Sequence, residues 1–222
     1  MWRAARKLRT RTLRGGRGEG KVLPPLLFFT DPLRTRRPER IVAALPRGAG
    51  VVFRAFGAPD ALAQGRILAK EARRRGVVFL VGADVSLAIA LRADGLHLPE
   101  RLAHRSVVRR NLPRRFLVTA AAHGLASALR ACRSGVDAVV VSPVFPSLSP
   151  SAGRPLGSLA FAYLVRRIPA PVFALGGVNA HSAARLTGSG AWGLASVGGF
   201  EDRDDRSKRQ PNARGGPRER RA

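Results

Sequence analysis

The stretch Leu26-Leu27-Phe28-Phe29-Thr30-Asp31-Pro32 decides the fold. Four large apolar residues in a row show no polar alternation. Such a run suits a parallel strand buried on both faces. A doubly wound open sheet would carry a glycine-rich fingerprint directly after its first strand. Here the run ends in Thr30-Asp31-Pro32 instead. A closed sheet is therefore expected.

Outward from this stretch the pattern repeats. Strands are predicted at 26–30, 50–53, 77–81, 95–98, 116–120, 138–142, 172–175 and 193–196. Helices are predicted between them at 38–45, 59–75, 85–91, 100–110, 124–134, 158–168 and 179–188. In 59–75, Leu62, Ile67 and Leu68 are expected on one buried face. Arg73, Arg74 and Arg75 close its last turn, where cations suit the helix dipole, and Gly76 stops it. In 124–134, Leu125, Leu129 and Cys132 recur at i, i+4 and i+7. Cys132 thus reads as a small buried hydrophobe rather than a nucleophile. Strands alternating with helices in this way predict an α/β fold, a (β/α)8 TIM barrel.

Composition agrees. The 222 residues are 45% hydrophobic and 24% charged, as in ordinary globular chains. The 24 Gly and 16 Pro follow no triplet period, which excludes collagen. A single Cys excludes an intramolecular disulfide and a cysteine zinc site. No run of 18 apolar residues occurs, so no membrane-spanning helix is expected.

Charge is the outlier, at +26. Residues 1–21 carry +7 and residues 201–222 carry +3, leaving +16 for the domain between them. Segment 1–21 reads as a disordered basic arm. It lacks the apolar middle of a secretory signal. It is Arg-rich like a transit peptide but contains no Ser, so a cytoplasmic location is expected. Segment 201–222 has no aliphatic side chain larger than Ala and reads as a disordered tail. The barrel is assigned to 22–200. Aromatics are only 6% and are not interleaved with the basic residues, so nucleic-acid binding is not expected.

In TIM barrels the active site lies just past the strand ends. After the seventh strand come Gly176 and Gly177, and after the eighth Ser196, Val197, Gly198 and Gly199. Small residues let backbone N–H groups approach a phosphate, and a helix expected near Asn179 would add its N-terminus. Loop six carries Ser147 and Ser149 among prolines, as a candidate substrate contact. His123 follows strand five and suits proton transfer near neutral pH. Arg54 follows strand two and requires an anionic partner at the mouth. His97 is expected to be structural, and His104 and His181 to lie on the surface.

These residues resemble the thiamine phosphate synthase / TenI (thiazole tautomerase) superfamily of (β/α)8 barrels. The resemblance is carried by Phe28-Phe29-Thr30-Asp31-Pro32, Ala93-Asp94-Gly95-Leu96-His97-Leu98, Ala122-His123, Ser142-Pro143-Val144-Phe145-Pro146, Ala174-Leu175-Gly176-Gly177-Val178 and Gly193-Leu194-Ala195-Ser196-Val197. It implies a small phosphorylated thiazole ligand, held by the backbone at Gly177 and at Val197-Gly198. The synthase joins that thiazole to a pyrimidine methyl diphosphate, with magnesium on the diphosphate.

The diphosphate half departs from the family. Its Gln-x-Arg-x-Lys reads Val52-Phe53-Arg54-Ala55-Phe56, its Asn-Asp reads Gly82-Ala83, and its second magnesium Asp falls on Leu102. The Lys of loop six is Pro150. A synthase would need Asp84, Glu100 and arginines in their place. The asymmetry implies a TenI-like tautomerase, with His123 as acid/base and no cofactor. Magnesium enters only for a true synthase. The alternatives are a synthase with a rearranged diphosphate site, or a non-catalytic barrel binding a phosphorylated ligand. The charged segment from Glu201 has no apolar face, so the family's eighth helix is not expected after strand eight. Either a second subunit of a homo-oligomer covers strands eight and one, or the tail comes from an altered reading frame.

Overall fold

A computed structural model describes residues 1–8, 22–103, 112–147 and 153–198. Strands β1 (Leu26–Phe29), β2 (Gly50–Phe53), β3 (Val78–Gly82), β4 (Gly95–Leu98), β5 (Leu117–Ala122), β6 (Ala138–Val141), β7 (Val172–Ala174) and β8 (Gly193–Ser196) form one closed barrel in chain order. Every pairing is parallel, and β1 closes the ring on β8. The expected TIM barrel is present.

The two apolar faces of each strand meet different partners. Leu27, Phe29, Val52, Leu80, Leu117, Val140, Phe173 and Ala195 fill the barrel interior. Their neighbours Leu26, Phe28, Val51, Val81, Val118, Val139 and Leu194 face the surrounding helices. That double burial is why the strands read as unbroken apolar runs.

The helices are α1 (Trp2–Leu8), α2 (Pro38–Ala44), α3 (Ala61–Arg75), α4 (Val85–Ala90), α5 (Glu100–Ala103), α6 (Leu125–Arg133) and α7 (Gly157–Val165). In α3 the expected buried face is wrong at two positions: Leu62 is 38% and Ile67 58% exposed. The helix instead buries Gly65, Leu68, Ala69 and Ala72. Small residues let it close on the barrel, since a Cβ on Gly65 would overlap Leu91 and crowd Phe53. Gly76 ends the helix at φ 62, as expected. In α6 the fully buried positions are Ser127, Ala128 and Ala131, with Leu125 and Cys132 packed partly against the core. Burial pushes the Cys132 thiol up, which disfavours the thiolate. The helix predicted over 179–188 is a five-residue 3-10 turn, Ser182–Leu186. Of the helix predicted over 100–110, residues 104–110 lie outside the described residues, and His104 with them.

Segment 1–21 is not wholly an arm. Met1, Ala5 and Leu8 recur at i, i+4 and i+7, and α1 buries Ala5 completely. Met1, Trp2, Ala4 and Leu8 pack against the helix-side core. The helix lies on β8 and the 3-10 turn. So β8, expected to be partly uncovered, carries this chain's own first helix. Reading the segment by its charge hid that apolar edge. Residues 9–21 and 199–222 lie outside the described residues, and with them the predicted tail. Among the described residues no helix is long and apolar enough to cross a membrane.

Candidate active site at the barrel mouth

Arg54 leaves β2 into the mouth and finds its anion within the chain. Its backbone N–H donates to Thr30 Oγ1 at 2.9 Å, and its Nε–H to Thr30 O at 2.7 Å. Its Nη2 reaches Asp31 Oδ2 at 3.3 Å, an oxygen that Arg34 also holds at 2.7 Å. The guanidinium carbon lies 5.7 Å from the Phe29 ring centre and 5.0 Å from that of Phe56. Burial lowers the Arg54 pKa, against the pull of Asp31, to about 10. It stays charged at neutral pH. Burial raises the Asp31 carboxyl, but the hydrogen bond and charge of Arg34, with the charge of Arg54, outweigh it and hold the group below its usual range. Two cations on one carboxylate leave the cluster net positive. Beside it, a cavity of about 260 Å³ is lined by Thr30, Asp31, Thr35, Arg36, Arg54 and Gln64, among others. Asp31 was not singled out as Arg54's partner from sequence, although it follows the first strand directly.

His97 points into the barrel and is 7% exposed. Its Nδ1 pairs with Thr119 Oγ1 at 2.9 Å, and its ring meets Phe29 edge-on at 4.9 Å. Burial, then the charge of Arg54, lowers its pKa to about 3. It is a neutral, structural imidazole. His181 is exposed.

His123 lies one residue past β5, and it does not stand alone. Its Nδ1 is 2.6 Å from Glu100 Oε2, and its backbone N–H donates to the same oxygen at 2.8 Å. Glu100 Oε1 is 4.0 Å from Arg130. Ser127 Oγ accepts from the backbone N–H groups of His123 and Gly124, both at 3.3 Å. The sequence reading placed Glu100 near a lost metal position and missed this pair. A strand-end acid one loop away from a strand-end His was the available signal.

Loops six and seven are built against each other. Gly176 and Gly177 adopt φ 89 and 64, which favour glycine. A Cβ on Gly176 would crowd Pro143, and one on Gly177 would overlap Pro146 O and crowd Phe145. Val144 and Phe145 donate backbone bonds to Leu175 O and Gly176 O, each at 2.9 Å. The glycines are thus required by loop packing as well as by any ligand. Among the described residues, the N–H groups of Gly177 and Val178 donate to nothing. The helix N-terminus expected near Asn179 is closed by the chain itself: Asn179 Oδ1 accepts from His181 and Ser182 N–H.

Ser196 is 4% exposed and donates its hydroxyl to Val178 O at 2.9 Å. It fastens β8 to loop seven. Val197 and Gly198 follow it directly in loop eight. Ser147 ends the described part of loop six, and Ser149 lies outside the described residues.

Magnesium on a diphosphate needs hard oxygen ligands, usually carboxylates. The two family positions carry Ala83 and Leu102. Asp84 is used as the cap of α4, accepting from Leu87 N–H at 2.9 Å. Glu100 is turned to His123. Among the described residues, no three His, Cys, Asp or Glu side chains gather where a metal could sit. The side chains of the described residues do not fit a magnesium–diphosphate centre.

Fold and mouth together define a (β/α)8 barrel with ionisable groups collected where the strands end. The chain belongs to the thiamine monophosphate synthase family, whose family model matches residues 26–200. It is 34% identical over 137 residues to the putative thiamine-phosphate synthase 2 of Aquifex aeolicus, covering 60% of this chain and 73% of that one. It is 32% identical over 179 residues to the thiamine biosynthesis bifunctional protein ThiED of Geobacter sulfurreducens, covering 79% of this chain but only 36% of that longer protein. Among solved structures, thiamine phosphate pyrophosphorylase from Pyrococcus furiosus superposes with a TM-score of 0.69 at 24% identity. That match covers 82% of this chain and 90% of the other, and it speaks for the fold. Membership places the chain in thiamine biosynthesis.

Proposed function

We propose that this chain forms thiamine phosphate by condensing a thiazole phosphate with a pyrimidine methyl diphosphate. The observation that carries the reading is the family match over the whole barrel, together with relatives named as thiamine-phosphate synthases. In this reading the thiazole phosphate lies on the backbone of Gly176, Gly177, Val178, Val197 and Gly198. The ring nitrogen attacks the methylene carbon of the pyrimidine. The carbon–nitrogen bond forms as the carbon–oxygen bond to diphosphate breaks. Arg54, with Arg34 and Asp31, supplies the net positive charge toward the leaving diphosphate.

A second reading is favoured by the Glu100–His123 pair. It is isomerisation of a thiazole phosphate carboxylate by proton transfer, with His123 as the acid/base. It needs neither lysine nor magnesium, and it uses only the thiazole half of the site.

One assay separates them. Purified protein is given thiazole phosphate carboxylate and pyrimidine methyl diphosphate, with and without magnesium. Thiamine phosphate as product supports the first reading. An isomerised thiazole with no condensation supports the second. Binding without conversion of either substrate overturns both and leaves a ligand-binding barrel.

A further inference from the structure

The two ring nitrogens of His123 stand in different surroundings. An ionised carboxylate can only accept hydrogen bonds. Burial raises the Glu100 carboxyl, but the hydrogen bonds from the His123 ring and backbone outweigh it and keep the group below its usual range. At neutral pH Glu100 is therefore an acceptor. Its 2.6 Å contact with Nδ1 requires the proton to be on Nδ1. The neutral ring then has no proton on Nε2. Both contacts run to one oxygen, because Oε2 also takes the His123 backbone N–H. Ring and main chain thus hang from a single point, and Arg130 stands 4.0 Å from the other carboxylate oxygen.

We propose that Glu100 is the positioning residue of His123, fixing the Nδ1–H tautomer and leaving Nε2 as the atom that takes up and returns a proton. The catalytic part rests on the isomerase reading above. The step balances without a co-reactant. A carbon–hydrogen bond of the thiazole breaks toward Nε2, and its electron pair stays in the ring system. The imidazolium is held against Glu100. Nε2 then returns a proton to a second carbon of the same ligand.

The test uses the full chain labelled with ¹⁵N-histidine. His123→Gln assigns the signal among the four histidines. In the neutral form of the ring the wild-type shifts should show Nδ1 protonated and Nε2 bare. Glu100→Ala should move them toward the Nε2–H form, and Glu100→Asp should keep the wild-type pattern in part. On thiazole phosphate carboxylate, Glu100→Ala should lower kcat about ten- to a hundredfold with KM little changed. Glu100→Asp should recover part of that loss. A wild-type ring with its proton on Nε2, or shifts that Glu100→Ala leaves in place, overturns the proposal. So does an active Ala variant with unchanged kcat. If the wild type isomerises nothing while the shifts behave as stated, the isomerase reading falls and the tautomer assignment stands.

Discussion

His97 shows what an imidazole costs inside a barrel. Burial and the Arg54 charge hold its pKa at about 3 in the fold, against about 6.5 in an unfolded chain. Its contribution to stability is whole above 6.5. As pH falls from there toward 3, the unfolded chain binds a proton that the fold refuses. Stability is then lost at up to about 1.4 kcal/mol per pH unit. His97→Asn should flatten that window. Urea unfolding at pH 7 and pH 5 should show a smaller drop for the variant, and equal drops would refute the assignment. Gly177 is a second single-residue case. Gly177→Ala meets a positive φ and the Pro146 carbonyl together. It should cost about 1–3 kcal/mol in thermal unfolding and weaken thiazole phosphate binding. A variant as stable as wild type would mean that loop six yields easily. At this scale the glycines were legible as a backbone requirement after a strand, read toward a phosphate, while the structure ties them to the packing of loop six. The pairs were not. Arg54 and Asp31 are 23 positions apart, as are His123 and Glu100, and only closure of the barrel brings them together.

The strands were legible as elements because burial on both faces leaves no room for polar alternation. All eight fall where the apolar runs lie, with no end shifted by more than two residues. Helix faces were harder. In α3 the large side chains Leu62 and Ile67 point out, while Gly65, Ala69 and Ala72 make the contact. Hydrophobicity marks large residues, but close approach selects small ones. Gly65→Val should therefore destabilise by about 1–3 kcal/mol through overpacking against Leu91 and Phe53. Ile67→Ala on the exposed face should cost far less. Chemical denaturation of the two variants checks the order, and the reverse order would return the core to the face first expected. The segment after β7 was misread for a different reason. Asn179 and Ser182 bond each other's backbone, which turns the chain into a 3-10 turn before a regular helix can start.

The whole barrel is sealed by a segment that charge had marked as a free arm. Helix α1 buries Ala5 and sets Trp2 and Leu8 against the helix-side core beside β8. Removing residues 1–8 should lower stability by about 2 kcal/mol or more, read as a fall in Tm. An unchanged Tm would mean that the helix only rests on the surface. This packing also carries a consequence for how the protein is made. On the ribosome α1 emerges before the barrel, yet the surface it covers includes β8, the eighth of the barrel's strands. This helix must wait, amphipathic and unsatisfied, until the barrel's strands have followed it. A circularly permuted gene that moves Trp2–Leu8 behind β8 would remove the wait and bring the synthesis order into line with the spatial one.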